Sequence, residues 1–282
     1  MAHPAADIFR QAARLLKEDP RREGNVVRIE AGCRVVVGGD IHGNGKALAR
    51  IVSFCGRKSS RPTRLVLQEI IHGPPDPQTG LDRSVELLLR AARLKINSPE
   101  EVLFVMGNHD LAQVGGVEIA KDGCGACNGF TTGLEAAYGE DAPGVLEAVG
   151  EMLRSFPLAA VCPNGAFIAH SVPSPGRMAA AGTEVLGRPY VDEDFHRGGP
   201  AYEWTWGRGQ TTEQLDTLAA ELAVELFVLG HRHVESGCEV IAPRAVVLAS
   251  DHQHGRIACF ASEAVVTAEA ICRASIPVGG IE

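Results

Sequence analysis

Ile8, Phe9, Ala12, Leu15 and Leu16 share one face at helical spacing, which predicts an amphipathic helix over 5–17 that Asp19-Pro20 brings to an end. Short apolar runs then predict strands over 26–29 and 34–37. The second runs directly into Gly38-Gly39-Asp40-Ile41-His42-Gly43-Asn44 and a helix over 46–55. The alternation repeats with a strand over 65–67, a helix over 84–94 and a strand over 102–105 that ends in Met106-Gly107-Asn108-His109-Asp110. Helical spacing covers 128–154, followed by strands over 158–161 and 166–169 around the turn Pro163-Asn164-Gly165, with His170 where the second strand stops. After a Gly-, Pro- and Arg-containing stretch over 171–211, the pattern predicts a helix over 212–223, a strand over 226–229 and the loop Gly230-His231-Arg232-His233. Strands near 238–241, 245–249, 256–260 and 264–268 complete the chain.

Alternating elements of this kind specify an α/β fold. No linker, repeat or low-complexity stretch divides them, so we expect an N-terminal helix over 1–24 packed on one main domain over 25–270, and a tail over 271–282. The 171–211 excursion, which holds both Trp residues, reads as an irregular lid or substrate rim.

Composition narrows the function classes. A hydrophobic fraction of 45% and a charged fraction of 22% are those of an ordinary globular protein. The formal charge of -8 and the absence of any long Lys/Arg run make nucleic acid an unexpected partner. A bound metal pair could still create a local positive site that a residue count does not register. Nothing approaches a membrane-spanning apolar run or a secretory leader, and Asp7, Glu18 and Asp19 argue against a mitochondrial presequence. A soluble cytoplasmic protein with no membrane partner is expected. The 8 scattered Cys suit reduced thiols, and Cys124-Gly125-Ala126-Cys127 has no second pair or nearby His pair to complete a zinc site.

The candidate chemistry lies at strand ends: Asp40 and His42, Glu69 and His72, Asn108 and His109, His170, then His231 and His233. Loops leaving the carboxyl ends of strands in an α/β sheet converge on one crevice, so these residues can meet although they are far apart in sequence. Imidazoles and carboxylates with one neutral amide suit Mn, Fe or Zn better than Ca, and the lack of Cys among them argues against a thiolate zinc site. Their number suits two metal ions.

Gly39-Asp40-Ile41-His42-Gly43-Asn44, Gly107-Asn108-His109-Asp110 and Gly230-His231-Arg232-His233 resemble, in the same order, the GDxHGN, GNHD and GHxH signatures of the calcineurin-like metallophosphoesterases. The resemblance spans about residues 32–260 and is nearest to the protein serine/threonine phosphatase-like branch. It implies a four-layered α/β/β/α fold, with a central β-sandwich flanked by helices. It also implies one metal held by Asp40, His42 and His233, a second by Asn108, His170 and His231, and Glu69 as the bridge. A hydroxide between the metals would be the nucleophile and His109 the general acid. The implied cofactors are two divalent or trivalent ions, Mn, Fe or Zn, and the implied activity is protein-phosphatase-like hydrolysis of a phosphomonoester. The substrate would be a phosphoprotein, a nucleotide or a small metabolite. A phosphodiesterase or dinucleoside polyphosphate hydrolase, and a metal-binding scaffold without turnover, stay open beside it.

The chain departs from the pattern at the second motif, where GDxxDRG is replaced by Gln68-Glu69-Ile70-Ile71-His72-Gly73. Glu69 can still bridge, with one more methylene. His72 stands where the family has an Asp that orients the proton-donating His. It can hydrogen-bond His109 directly, it can serve as an extra ligand or acid, or the Pro-rich insert 74–79 can let Asp82-Arg83 fold back and replace the missing pair. Direct contact is the favoured expectation. For phosphate recognition, guanidinium groups are the natural donors. Arg208, just beyond the Trp-containing segment 202–207, is the first candidate, followed by Arg177, Arg232 and Arg83, with His252 as a possible pocket residue.

Overall fold

The computed structural model describes residues 3–121 and 124–282, without the side chains at 120, 121 and 124, so the Cys124 thiol of the Cys-x-x-Cys motif is not described. Each predicted strand but one is present, and period-two alternation explains how the strands assemble. Val35 and Val37 point to one apolar cluster and Val36 to another. The same division separates Val66 from Leu65 and Leu67, Ile168 from Phe167, and Val228 from Phe227. Strands buried on both faces must lie inside a layered structure. The first cluster fills the space between two sheets, and the second packs their outer faces under helices.

One sheet has five strands in the order Ile276–Pro277, Arg256–Ala261, Arg34–Asp40, Thr63–Gln68, Val102–Phe104. The other has seven, in the order Arg22–Glu23, Val26–Arg28, Ala159–Val161, Ala166–Ala169, Leu226–Leu229, Ala245–Leu248, Cys238–Ala242. With helices outside both sheets, this is the expected α/β/β/α sandwich. The strands that carry site loops pair in parallel within their sheets: Arg34–Asp40 with Thr63–Gln68 and that with Val102–Phe104, and Ala166–Ala169 with Leu226–Leu229. The sheets meet at this end, where Asp40 forms a parallel bridge with Ala249 and the Gly39 N–H donates to Ser250 Oγ at 2.9 Å. A Cβ on Gly39 would lie 2.3 Å from the Leu248 carbonyl oxygen, so only glycine permits this approach.

The N-terminal helix is Pro4–Lys17. Ala5, Ala6, Phe9, Ala12, Ala13 and Leu16 are buried against helices Ser84–Asn97 and Ala142–Leu153, while Ile8 and Leu15 lie at its margin. Three sequence expectations need correction. The 171–211 excursion is not irregular throughout: it contains short helices at Met178–Ala181, Glu184–Gly187 and Pro200–Trp206. The strand expected over 264–268 does not form, because Thr267 caps a helix, Ala268–Ala274, by accepting the Ala270 N–H. The tail expected from 271 begins inside that helix, and Ile276–Pro277 then adds an edge strand to the five-stranded sheet.

Candidate metal centre

Asp40 ends its strand, and Glu69, His170 and His231 lie one or two residues beyond theirs, so the loops deliver their side chains to one place. Four of the residues at this end adopt the left-handed backbone region that non-glycine residues avoid: His42 at φ 43°, Glu69 at 45°, His72 at 59° and His231 at 68°. The tight turns are held from below. The His42 N–H donates to the Glu69 carbonyl at 2.7 Å, and the Asp110 carboxylate accepts the Gly107 N–H at 3.0 Å, fixing the turn that presents Asn108 and His109. Burial pushes the Asp110 carboxyl up to about 7, against the lowering effect of the Gly107 N–H.

Donor atoms converge in two overlapping groups. Asp40, Glu69 and His170 form one, and His42, Glu69 and His109 the other, each with its ligand atoms within 4.8 Å of one another. The groups divide the donors differently from the resemblance, placing Asp40 with His170 and His42 with His109, and Glu69 belongs to both. Its Oε2 is 3.4 Å from His42 Nε2, and its Oε1 is 3.6 Å from His170 Nε2 and accepts the His109 N–H at 2.6 Å. The carboxylates lie over bare backbone. A Cβ on Gly107 would fall 2.2 Å from Glu69 Oε1, and one on Gly230 would fall 2.5 Å from Asp40 Oδ1.

Beside them, Asn108 Oδ1 stands 2.8 Å from both His170 Nε2 and His231 Nδ1, and these two ring nitrogens are 3.2 Å apart. At most one proton, on His231 Nδ1, can be shared among the three atoms. Gln68 donates through Nε2 to the Gly38 carbonyl at 2.9 Å, so its Oε1 faces His170 Nδ1 at 2.8 Å and accepts a proton there. Burial and the neighbouring His231, His109 and His42 rings keep the His170 imidazole neutral, well below its ordinary pKa. Its Nε2 is therefore a bare lone pair facing the carbonyl lone pairs of Asn108. His231 is likewise pushed down to about 3, by burial first and then by the Arg208 guanidinium. Neutral lone-pair donors crowded this closely with an adjacent carboxylate form a set that suits a cation. Gln68, which the sequence did not mark, sets the ligand tautomer, as outer-sphere partners of metal-binding His commonly do. Gln68→Leu should weaken metal binding roughly 10–100-fold, measured by competition with a chelator; unchanged affinity would remove the role given to Gln68.

The other expected site residues are placed unequally. His72 Nδ1 lies 2.9 Å from His109 Nδ1, the direct contact favoured from sequence. Asp82 instead accepts the Ser84 N–H at the start of a helix, and Arg83 is held at the surface by Glu86. Arg177 pairs with Glu203 at 2.6 Å and Arg232 lies 3.6 Å from Glu239, so both meet carboxylates. Arg208 is exposed, and its charge acts on both His170 and His231. Its backbone N–H is tied to Ser174 Oγ at 2.8 Å, and nearby Trp206 turns toward His231, with 6.2 Å between ring centroids. His233 is exposed and stands in neither donor group; its ring is 5.1 Å from that of His252, whose Nε2 bonds the Val234 carbonyl.

Comparison with known proteins bears on the fold and the family. No curated protein matches the chain by sequence. A protein serine/threonine phosphatase from Saccharomyces cerevisiae with similarity to human phosphatase PP5 superposes with a TM-score of 0.66 at 16% identity, covering 90% of this chain and 81% of its own. The cold-active protein-tyrosine phosphatase of a psychrophile, Shewanella sp., does so with a TM-score of 0.60 at 16% identity, covering 94% and 84%. Both likenesses are of fold. The family model for calcineurin-like phosphoesterases matches residues 33–235, the span that holds every loop of the donor cluster, and the chain belongs to that family.

Proposed function

We propose that the protein is a metal-dependent phosphomonoesterase of protein-phosphatase-like character. The observation that carries this reading is the donor cluster, in which Glu69 is common to two groups and Asn108, His170 and His231 crowd neutral lone pairs beside it. Asp40 and His42 would hold one ion, Asn108, His170 and His231 the other, with Glu69 between; His233 is assigned to the first ion on family resemblance alone. Bound there, the pair would act as Lewis acids on the phosphoryl oxygens and lower the pKa of a water at the site, with Mn, Fe and Zn the ions that suit these donors.

The chain's own residues supply the rest. His109 Nε2 is 4.0 Å from Glu69 Oε2, on the ligand side of its ring, where it can hand a proton to the leaving oxygen. Arg208 would hold a phosphoryl oxygen from the exposed side. The test is hydrolysis of p-nitrophenyl phosphate by metal-stripped protein with Mn, Fe, Zn or Mg restored, beside bis(p-nitrophenyl) phosphate. Metal-dependent turnover of the monoester is the expected result. Preference for the diester would shift the reading to a phosphodiesterase, and bound metal without turnover of any phosphoester would leave a scaffold.

A further inference from the structure

His109 has an imidazole against its far side. Its Nδ1 faces His72 Nδ1 at 2.9 Å, and a run of hydrogen-bonding groups leads outward from there: His72 Nε2 is 2.9 Å from Gln113 Oε1, Gln113 Nε2 is 3.5 Å from Thr131 Oγ1, and Thr131 Oγ1 donates to the Cys127 carbonyl at 3.0 Å. Two ring nitrogens in contact can be bonded in either direction, so something else must decide which carries the proton.

The outer end of the chain decides. A carbonyl oxygen only accepts, so the Thr131 hydroxyl spends its one proton on Cys127 and presents a lone pair to Gln113. The Gln113 amide then points its NH₂ at Thr131 and its oxygen at His72. An amide oxygen cannot donate, so the proton in that contact sits on His72 Nε2. Above the ordinary imidazole range His72 has no second proton, so its Nδ1 accepts, and the donor is His109 Nδ1. His109 thereby keeps its Nδ1 proton on the side away from the donor cluster; in the cationic ring the second proton is on Nε2, and its departure from there returns the ring to the Nδ1–H tautomer.

We propose that Gln113 is a positioning residue that acts through His72 to hold His109 as the Nδ1–H tautomer. The inference rests on the reading of His109 as proton donor, but the tautomer can be read without turnover. Gln113 is half-buried on the helix Asn108–Gly115 and touches no member of the donor cluster in the contacts described, so its variants should fold.

The experiment is two-bond ¹H–¹⁵N correlation of histidine-labelled, metal-free protein at about pH 8, above the ordinary imidazole range, with His72→Gln and His109→Gln used to assign the rings. Expected are an Nδ1–H pattern for His109 and an Nε2–H pattern for His72. Gln113→Leu should give mixed tautomers at both rings, and Gln113→Glu, which keeps an acceptor in place, should restore the wild-type pattern. An Nε2–H pattern for His109 in the wild type would mean that the amide is reversed and would overturn the proposal, as would a Gln113→Leu spectrum identical to wild type. In the metal-loaded enzyme, Gln113→Leu should lower kcat on an alkyl phosphate about tenfold, within the range of outer-sphere effects, and leave p-nitrophenyl phosphate nearly unchanged, because its phenolate departs without a proton. Wild-type protein that turns over no phosphoester would defeat the functional reading and leave the tautomer result standing.

Discussion

Alanine in place of His170 is expected to leave the protein with at most one tightly bound metal ion and to slow phosphoester hydrolysis by roughly 10²–10⁴, the equivalent of several kcal/mol of lost Lewis-acid stabilisation at about 1.36 kcal/mol per decade. The size follows from where the ring sits. His170 is buried, touches Asn108, His231, Asp40 and Glu69, and has its tautomer fixed by Gln68, so it links the Glu69 carboxylate to the Asn108–His231 pair. Removing it leaves Asn108 and His231 without the donor between them and Glu69. Elemental analysis of the purified variant and kcat under saturating metal check both halves. Two ions per chain with full kcat would show that the lone-pair cluster is not a metal site.

Alanine in place of His109 should behave differently. Its ring belongs to the donor group of His42 and Glu69, yet its Nδ1 is engaged by His72, and its Nε2 is 4.0 Å from Glu69 Oε2. A proton donor contributes typically 10²–10⁴ to rate, and only where the departing oxygen needs the proton. The variant should keep both ions, lose that factor on an alkyl phosphate and lose much less on p-nitrophenyl phosphate. Adding Gln113→Leu should then have no further effect, since a residue that acts through His109 has nothing left to act on. An equal loss on both substrates, together with loss of a metal ion, would identify His109 as a ligand rather than an acid.

What the sequence made legible follows the range of the physics. Asp40, His42, Asn108 and His231 could be read because coordination chemistry restricts the residue types and the turns restrict their spacing. Strands such as Ala166–Ala169 and Leu226–Leu229 could be read from apolar runs alone. Gln68 and Gln113 could not. A neutral amide fits almost any environment, and these two acquire their roles from partners 102 and 41 residues away in the chain. The 264–268 expectation failed for a local reason: Val265 and Val266 have strand propensity, but Val265 is 93% exposed and Thr267 starts a helix. His72 was read correctly as a neighbour of His109, while the direction of the proton between them depended on Thr131, which carries no signature of its own.

The left-handed backbone at His42, Glu69, His72 and His231 has a further consequence for the evolution and engineering of this protein. Each such residue holds about 1–3 kcal/mol of conformational strain, concentrated in the loops that present the donors. Glycine at any of these positions would relax the turn and delete the side chain that the turn exists to aim. A search for heat-resistant variants of the metal-free chain should therefore be drawn to these same codons, and would return stable proteins with no catalytic centre.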